Sequence, residues 1–446
     1  MEDPQKVYDK LNSVGKGFCL AKWTQVTIHL GSGINHSCHH VKAHKIPIDE
    51  VVDNPQLLHN TNFKKNTRRE MKSGERPSEC DYCWRIEDNT KQFSDRVWKS
   101  SYTWSWPYYS KIVKSHPDDD FYPRYVEVSF GNICNFKCSY CGPTFSSKWT
   151  EEINQHGPYK FSSINWKYNQ QDPNETQILE REYNPYIEAF WKWFPKAVKY
   201  MHTFRITGGE PLLSKHTDRV IQYLIDNPQP NLEFSINSNG CPPGKLWNKF
   251  VKKVRLLTEK KYIKSFTLHV SAESLGAQAE YSRDGMNWNL FSSNVNHYLK
   301  NTWGDLNFMS AFNIYSFPTF LPFLNWVSSL RKQYPDRVLI SIPYVRNPGF
   351  LDCMIATPEM VQQYLRPAHK FMEKVFNSDE VIMFKRIIED IENKHNNLDE
   401  FGQLINERRH QFYEWTEEYD KRRNKQFLKV FPELKSFYKV CKKCTI

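Results

Sequence analysis

The 446-residue sequence has no long hydrophobic run. Its most apolar stretch, FPTFLPFLNWV (317–327), is too short and too interrupted by proline to cross a bilayer, so no membrane partner is expected. The N-terminus, MEDPQKVYDKLNSVGKGF, lacks an apolar segment behind a basic start, and a cytoplasmic protein is expected. Internal repeats of solenoid period and low-complexity tracts are also missing, which removes repeat arrays from consideration. What remains is ordinary globular composition, 39% hydrophobic and 25% charged, with length for one large domain with appendages or for two domains.

Against these absences stand eleven cysteines. In a reducing compartment thiols stay free, so they point to metal or redox chemistry and not to structural disulfides. They fall in groups: Cys19 and Cys38, CDYC (Cys80, Cys83), a triplet (Cys134, Cys138, Cys141), the single Cys241 and Cys353, and CKKC (Cys441, Cys444). The single ones are expected as small buried apolar residues. The net charge of +11 would suit a polyanion, but the basic runs KKNTRREMK, VKKVRLLTEKKYIK and DKRRNKQFLK are interleaved with acids or dispersed. A solvated face is the first reading there, and nucleic acid stays a candidate partner.

From about residue 120 one grammar recurs: a short β-rich run, a loop rich in Gly, Ser, Asn or Cys, then a helical stretch. The runs are RYVEVSF, MHTFRI, LEFSI, SFTLHV, NFMSAF and RVLISIP, with helical periods such as SKHTDRVIQYLIDN and LPFLNWVSSLRKQY after them. Serial βα units predict an α/β fold with a mainly parallel sheet, six units being two short of a closed eight-fold barrel. Three segments are expected: a cysteine-rich module over 1–118, the βα core over 119–345, and a helical extension over 346–446 ending in CKKC. The polar stretch 157–185 is expected as an inserted loop at the rim of the site.

The triplet lies in GNICNFKCSYCGP (131–143), with no fourth cysteine or histidine close by; His116 and His156 are the nearest histidines. Structural zinc closes a tetrahedron with four protein ligands, which disfavours it here. A four-iron cubane held by three thiolates leaves one iron uncapped, and an uncapped iron can bind a substrate. CNFKCSYC resembles the cysteine motif of the radical S-adenosylmethionine (radical SAM) superfamily. By that resemblance Cys134, Cys138 and Cys141 would ligate a [4Fe-4S] cluster, and Tyr140 would lie beside the adenine.

Downstream loops extend the resemblance in the superfamily's order. FRITGGEP places Gly208, Gly209 and Glu210 in the glycine-rich motif, where glycine lets backbone approach a ligand and the carboxylate accepts from an ammonium group. FSINSNG places Ser238 and Asn239 as the polar pair toward the ribose or methionine moiety. LHVSAESLGAQAEYSRDGMNW places Ser271, Glu273 and Arg283 where the superfamily has Ser-x-Asp and a following Arg, with Glu in place of Asp. The resemblance implies a partial (β/α)6 TIM-like barrel and reductive cleavage of S-adenosylmethionine to methionine and a 5′-deoxyadenosyl radical. That radical takes hydrogen from a substrate, and a reductase or a flavodoxin- or ferredoxin-like donor supplies the electron.

Cys19, Trp23, Cys38, Cys80, Cys83, Trp84 and Glu87 resemble the layout of the superfamily's twitch subgroup, whose shortened SPASM module carries an auxiliary cluster. Lys22 stands where that subgroup has Pro, and Ser37 where it often has another Cys. The four cysteines are expected to hold an auxiliary iron-sulfur cluster, with zinc and no metal as the alternatives. FLKVFPELKSFY near the end is similar to the subgroup's ending. CKKC is either a free polar tail or folds back to supply ligands or electrons, and His36, His39 and His40 are expected as surface polar residues. The subgroup implies a peptide or protein side chain as substrate. A nucleotide, nucleic acid or other small molecule is the alternative, since aromatic WSWPYYS and the basic balance suit bases and phosphates. A non-catalytic zinc-bearing nucleic-acid-binding protein is the rival from another class.

Overall fold

The computed structural model describes residues 1–162, 164–169 and 176–444, and for 164–167 the backbone alone. Part of the expected insertion 157–185 lies outside these residues. The chain divides into two units: Met1–Asn132, Pro173–Ile236 and Lys260–Ser265 in the first, and Ile133–Asp172, Asn237–Glu259 and Phe266–Ile446 in the second. The segments 1–118, 119–345 and 346–446 read from composition divide the chain differently. The fold is α/β, with mostly parallel strands and intervening helices. All six expected strands form, at Tyr125–Ser129, Thr203–Thr207, Gln229–Ser238, Ile263–Ser271, Asp305–Met309 and Val338–Ser341.

In the first unit Thr203–Thr207 lies parallel to both Gln229–Ser238 and Tyr125–Ser129. A strand not evident in the sequence, Gln25–His29, pairs parallel with Tyr125–Ser129 in the register Thr27 to Glu127. The hairpin strands Ile34–His36 and His44–Lys45 follow it antiparallel. The cysteine-rich segment therefore enters the sheet. Its helices close a core of Val7, Leu11, Phe18, Trp23, Met71 and Val97, against which Cys19 and Cys80 pack.

In the second unit Ile263–Ser271, Asp305–Met309 and Val338–Ser341 pair in parallel. Among the described residues no strand pairing closes a barrel. The expected helices form at Phe320–Gln333 and Ser378–Asn396, the latter opened by a capping box between Asn377 and Glu380. A 26-residue helix, Leu398–Arg423, ends at Asn424 in the left-handed conformation. Its buried Trp415 packs on Tyr159 at 4.4 Å and on Phe350 at 4.8 Å between ring centroids. The tail folds back: Cys441 is buried on the helix Lys435–Lys443, and the Cys444 thiol reaches Asn406 Oδ1 at 3.7 Å. No helix among the described residues is long and apolar enough to cross a membrane.

Candidate functional site

The triplet loop belongs to the second unit and is secured by its neighbours in sequence. Ser147 Oγ accepts from the Cys134 amide at 3.2 Å and donates to the Cys134 carbonyl at 3.3 Å. Ser146 caps the helix Ser147–His156 and donates to the Phe136 carbonyl at 2.6 Å. Trp149, one turn on, donates from Nε1 to the Cys138 carbonyl at 2.9 Å. Lys137–Cys138 also pairs antiparallel with Arg283–Asp284, setting Cys138 opposite Arg283. Gly285 has φ +105°, and a Cβ there would come within 2.6 Å of the Asn135 carbonyl, so glycine is required where this strand meets the loop.

The expected Glu273, Arg283 and Tyr140 come together. Arg283 donates to Glu273 Oε2 from Nε at 3.0 Å and from Nη2 at 2.5 Å, and both side chains are buried. Glu273 Oε1 accepts from the Tyr140 hydroxyl at 3.2 Å and from Ser282 Oγ at 3.3 Å. The guanidinium lies 5.3 Å from the Tyr140 ring centroid. Burial alone would lower the Arg283 pKa, but the Glu273 carboxylate pushes it up and keeps the guanidinium charged. Burial pushes the Tyr140 hydroxyl well up. Glu273 thus anchors Arg283 and orients Tyr140.

The sulfurs have the surroundings an anionic cluster needs. The Phe136 amide points at Cys134 Sγ at 3.4 Å, and Arg283 Nη1 at Cys138 Sγ at 3.9 Å. None of the three cysteines is in a disulfide, and all three are partly buried. Burial raises Cys138 and Cys141, so they stay protonated until a cation replaces the protons. Ser139 Oγ in the loop and Ser274 Oγ after Glu273 are buried without hydrogen-bond partners. Among the described residues no group of three or more His, Cys, Asp or Glu is gathered to hold one metal ion. A cubane makes a different demand, one thiolate on each of three separate irons, and the three partly exposed thiols fit it.

Asn239 braces the same loop. Asn239 Nδ2 donates to Asn135 Oδ1 at 2.7 Å, Asn239 Oδ1 accepts from the Cys241 amide, and Asn135 Nδ2 donates to the Cys241 carbonyl. Ser238 Oγ accepts from the Gly240 amide at 3.0 Å. Ser271 ends its strand, partly buried, opposite Met309. Gly208, Gly209 and Glu210 belong to the first unit. Gly208, at φ +126°, leaves no room for a Cβ, which would meet Ser129 Oγ at 2.7 Å and the Gly131 carbonyl at 2.8 Å. Glu210 is buried and accepts from the Leu212 amide at 3.0 Å.

The chain matches no protein-family model. Over 117 residues it is 28% identical to the GTP 3′,8-cyclase of Nautilia profundicola, covering 26% of this chain and 27% of that protein. Over 116 residues it is 24% identical to the GTP 3′,8-cyclase of Campylobacter curvus, again 26% and 27%. The chain spans about a quarter of the length of these relatives. The matches support the radical SAM superfamily.

The other four expected ligands lie together in the first unit. Cys19, Cys38, Cys80 and Cys83 line one pocket with Lys22 and Arg96, enclosing about 400 Å³ between atoms, open solvent included. Lys22 is buried and ion-paired with Glu79. The motif residues after Cys83 are structural: Trp84 Nε1 donates to the Pro77 carbonyl at 2.9 Å, and Glu87 takes the buried Arg96 at 2.7 and 3.0 Å. Arg96 in turn donates to the Phe18 carbonyl beside Cys19, at 3.1 Å. Burial pushes Cys80 and Cys83 up to about 12. Ser37 Oγ on the pocket wall is buried without a partner, at the position where the subgroup often has Cys. A multi-thiolate group fits this donor set. His36 contacts the Cys38 carbonyl and His40 pairs with Asp95, so neither is held as a preformed ligand.

Sequence reasoning missed Asn135, Trp149, Glu152, Ser282 and Arg423. Asn135 lies inside the motif but between its marked cysteines. Trp149, Glu152 and Ser282 act on partners 9 to 15 residues away with no motif to mark them, and the partners of Arg423 are distant in the chain.

Proposed function

We propose that this chain is a radical SAM enzyme in which Cys134, Cys138 and Cys141 hold a [4Fe-4S] cluster. The observation that carries the reading is the clamped loop of three partly exposed thiols, with Arg283 donating toward Cys138 and Glu273 holding both Arg283 and Tyr140. With S-adenosylmethionine at its uncapped iron, such a cluster supplies one-electron cleavage of a C–S bond and a 5′-deoxyadenosyl radical that takes hydrogen from substrate. Tyr140 would supply an aromatic ring for the adenine and Arg283 a fixed positive charge. Ser238, Asn239 and Ser271 of the same unit complete the proposed cofactor contacts, while Cys19, Cys38, Cys80 and Cys83 hold an auxiliary iron-sulfur cluster. An external reductase or flavodoxin-like protein delivers the electron.

A peptide or protein side chain is the substrate that the twitch resemblance supports. One observation favours a nucleotide instead: both partial relatives carry GTP in their names. Anaerobic reaction with dithionite and S-adenosylmethionine is expected to release 5′-deoxyadenosine, and Cys138→Ala to release none. Equal release by the variant overturns the assignment. Deuterated GTP and deuterated peptide pools then decide the substrate, by which one passes deuterium into 5′-deoxyadenosine.

A further inference from the structure

Beside the triplet loop, in the same unit, lies a buried ion network with no part in the ligand set. Arg423, at the end of the helix Leu398–Arg423, has a side chain 1% exposed. Its Nη1 donates at 2.8 Å to the carbonyl of Lys137, the residue before Cys138. Its Nε and Nη2 donate to Glu152 at 3.0 and 3.3 Å. Glu152 also takes Lys137 Nζ at 2.8 Å, and it sits on the helix that carries Trp149, the donor to the Cys138 carbonyl. The guanidinium lies 4.6 Å from the Trp149 ring and 4.0 Å from the Tyr419 ring, which fixes its plane. Asp284, opposite Lys137 in the two-residue ladder, pairs with Lys425 at 2.6 Å and lies 3.8 Å from Arg423.

Burying a guanidinium is expensive unless several acceptors take it up. Here the acceptors are the loop's own backbone and the helix behind it, so Arg423 joins the distant C-terminal helix to the peptide between two cysteines. We propose that Arg423 is a positioning residue for the cluster loop, setting the Cys138 sulfur and the adjoining Arg283 strand for the cluster and its cofactor; this rests on the radical SAM reading above. The C-terminal helix is then part of the site's framework.

The test uses the full chain, reconstituted anaerobically with iron and sulfide. Arg423→Met leaves the buried Glu152 with only part of its counter-charge, Lys137, so the double variant Arg423→Met/Glu152→Gln, which removes both members of the pair, is measured beside it and beside Arg423→Lys. Circular dichroism of the double variant is expected to match the parent. Its triplet cluster is expected to lose iron to a chelator on the order of 10-fold faster, and the EPR shift on adding S-adenosylmethionine should be diminished or lost. Arg423→Lys should fall between, because one ammonium cannot serve the Lys137 carbonyl and both Glu152 oxygens together. A double variant with the parent's iron release and EPR shift overturns the inference. A parent whose EPR spectrum ignores S-adenosylmethionine overturns the radical SAM reading, and the inference with it.

Discussion

The chain holds two thiol groups built on opposite plans. The triplet Cys134, Cys138 and Cys141 sits on one short loop, partly exposed, and the groups around it hold that loop by its backbone: Ser146, Ser147, Trp149 and Arg423 all reach main-chain atoms. Cys19, Cys38, Cys80 and Cys83 come from three stretches of sequence and are brought together by side-chain packing on a hydrophobic core, with the Glu87–Arg96 pair as the fastener. The first plan presets the loop through its main chain. The second brings four thiols around a common pocket, which suits a closed group in a supporting role. The first arrangement is set by hydrogen bonds to the backbone of one loop, the second by the packing of stretches far apart in the chain.

The contrast can be broken most severely by exchanging which cysteine is lost. Cys138→Ala is expected to cut 5′-deoxyadenosine release by at least about 100-fold, a loss no smaller than supporting residues produce. Cys83→Ala should lower total iron and still allow cleavage; if it abolishes cleavage as completely, the division of labour between the groups fails. Next come two of the buried ion pairs, one beside each thiol group. Glu273→Gln leaves Arg283 buried without its counter-charge, and Glu87→Gln does the same to Arg96. Each should cost about 3–5 kcal/mol in urea unfolding. Glu273→Gln should alter the triplet cluster's spectrum and Glu87→Gln the auxiliary one, and a crossed result would refute the assignment of the pairs.

Acid sharpens the comparison further. Burial would raise the Glu152 carboxyl, but Arg423 and hydrogen bonds from Lys137, Arg423 and Tyr159 hold it down, from 4.5 to about 2. A depressed carboxylate stabilises the fold above its unfolded pKa, and that stability is lost as pH falls from about 4.5 through about 2. Glu152→Gln should therefore flatten the acid limb of the stability profile in that window; an unchanged limb would show that the network around the triplet loop does not carry it. The smallest effect is expected from Trp84→Phe, which removes the hydrogen bond to Pro77 and should cost about 1 kcal/mol with slightly faster loss of auxiliary iron.

Much of this was legible in the residues themselves. The six βα strands repeat a local hydrophobic pattern, and local patterns survive translation into structure because strand and helix periods are set within a few residues. Cysteine spacing and the glycines are local as well. The strand Gln25–His29 escaped notice because QVTIH is five residues long and no helical period follows it; its pairing with Tyr125–Ser129 requires the tertiary fold. The Glu for Asp exchange at position 273 could be seen but not interpreted, until Arg283, Tyr140 and Ser282 were found on its two oxygens.

The sequence by itself determined the α/β class, the order of the loops and the identity of the thiols, all of which follow from spacing along the chain. Only the tertiary structure decided which charges are buried together and what holds the cysteine loop in place. Arg423 lies 286 residues from the carbonyl it serves at Lys137. A buried charge must find its partners wherever the fold supplies them, and distance along the chain carries no record of that choice.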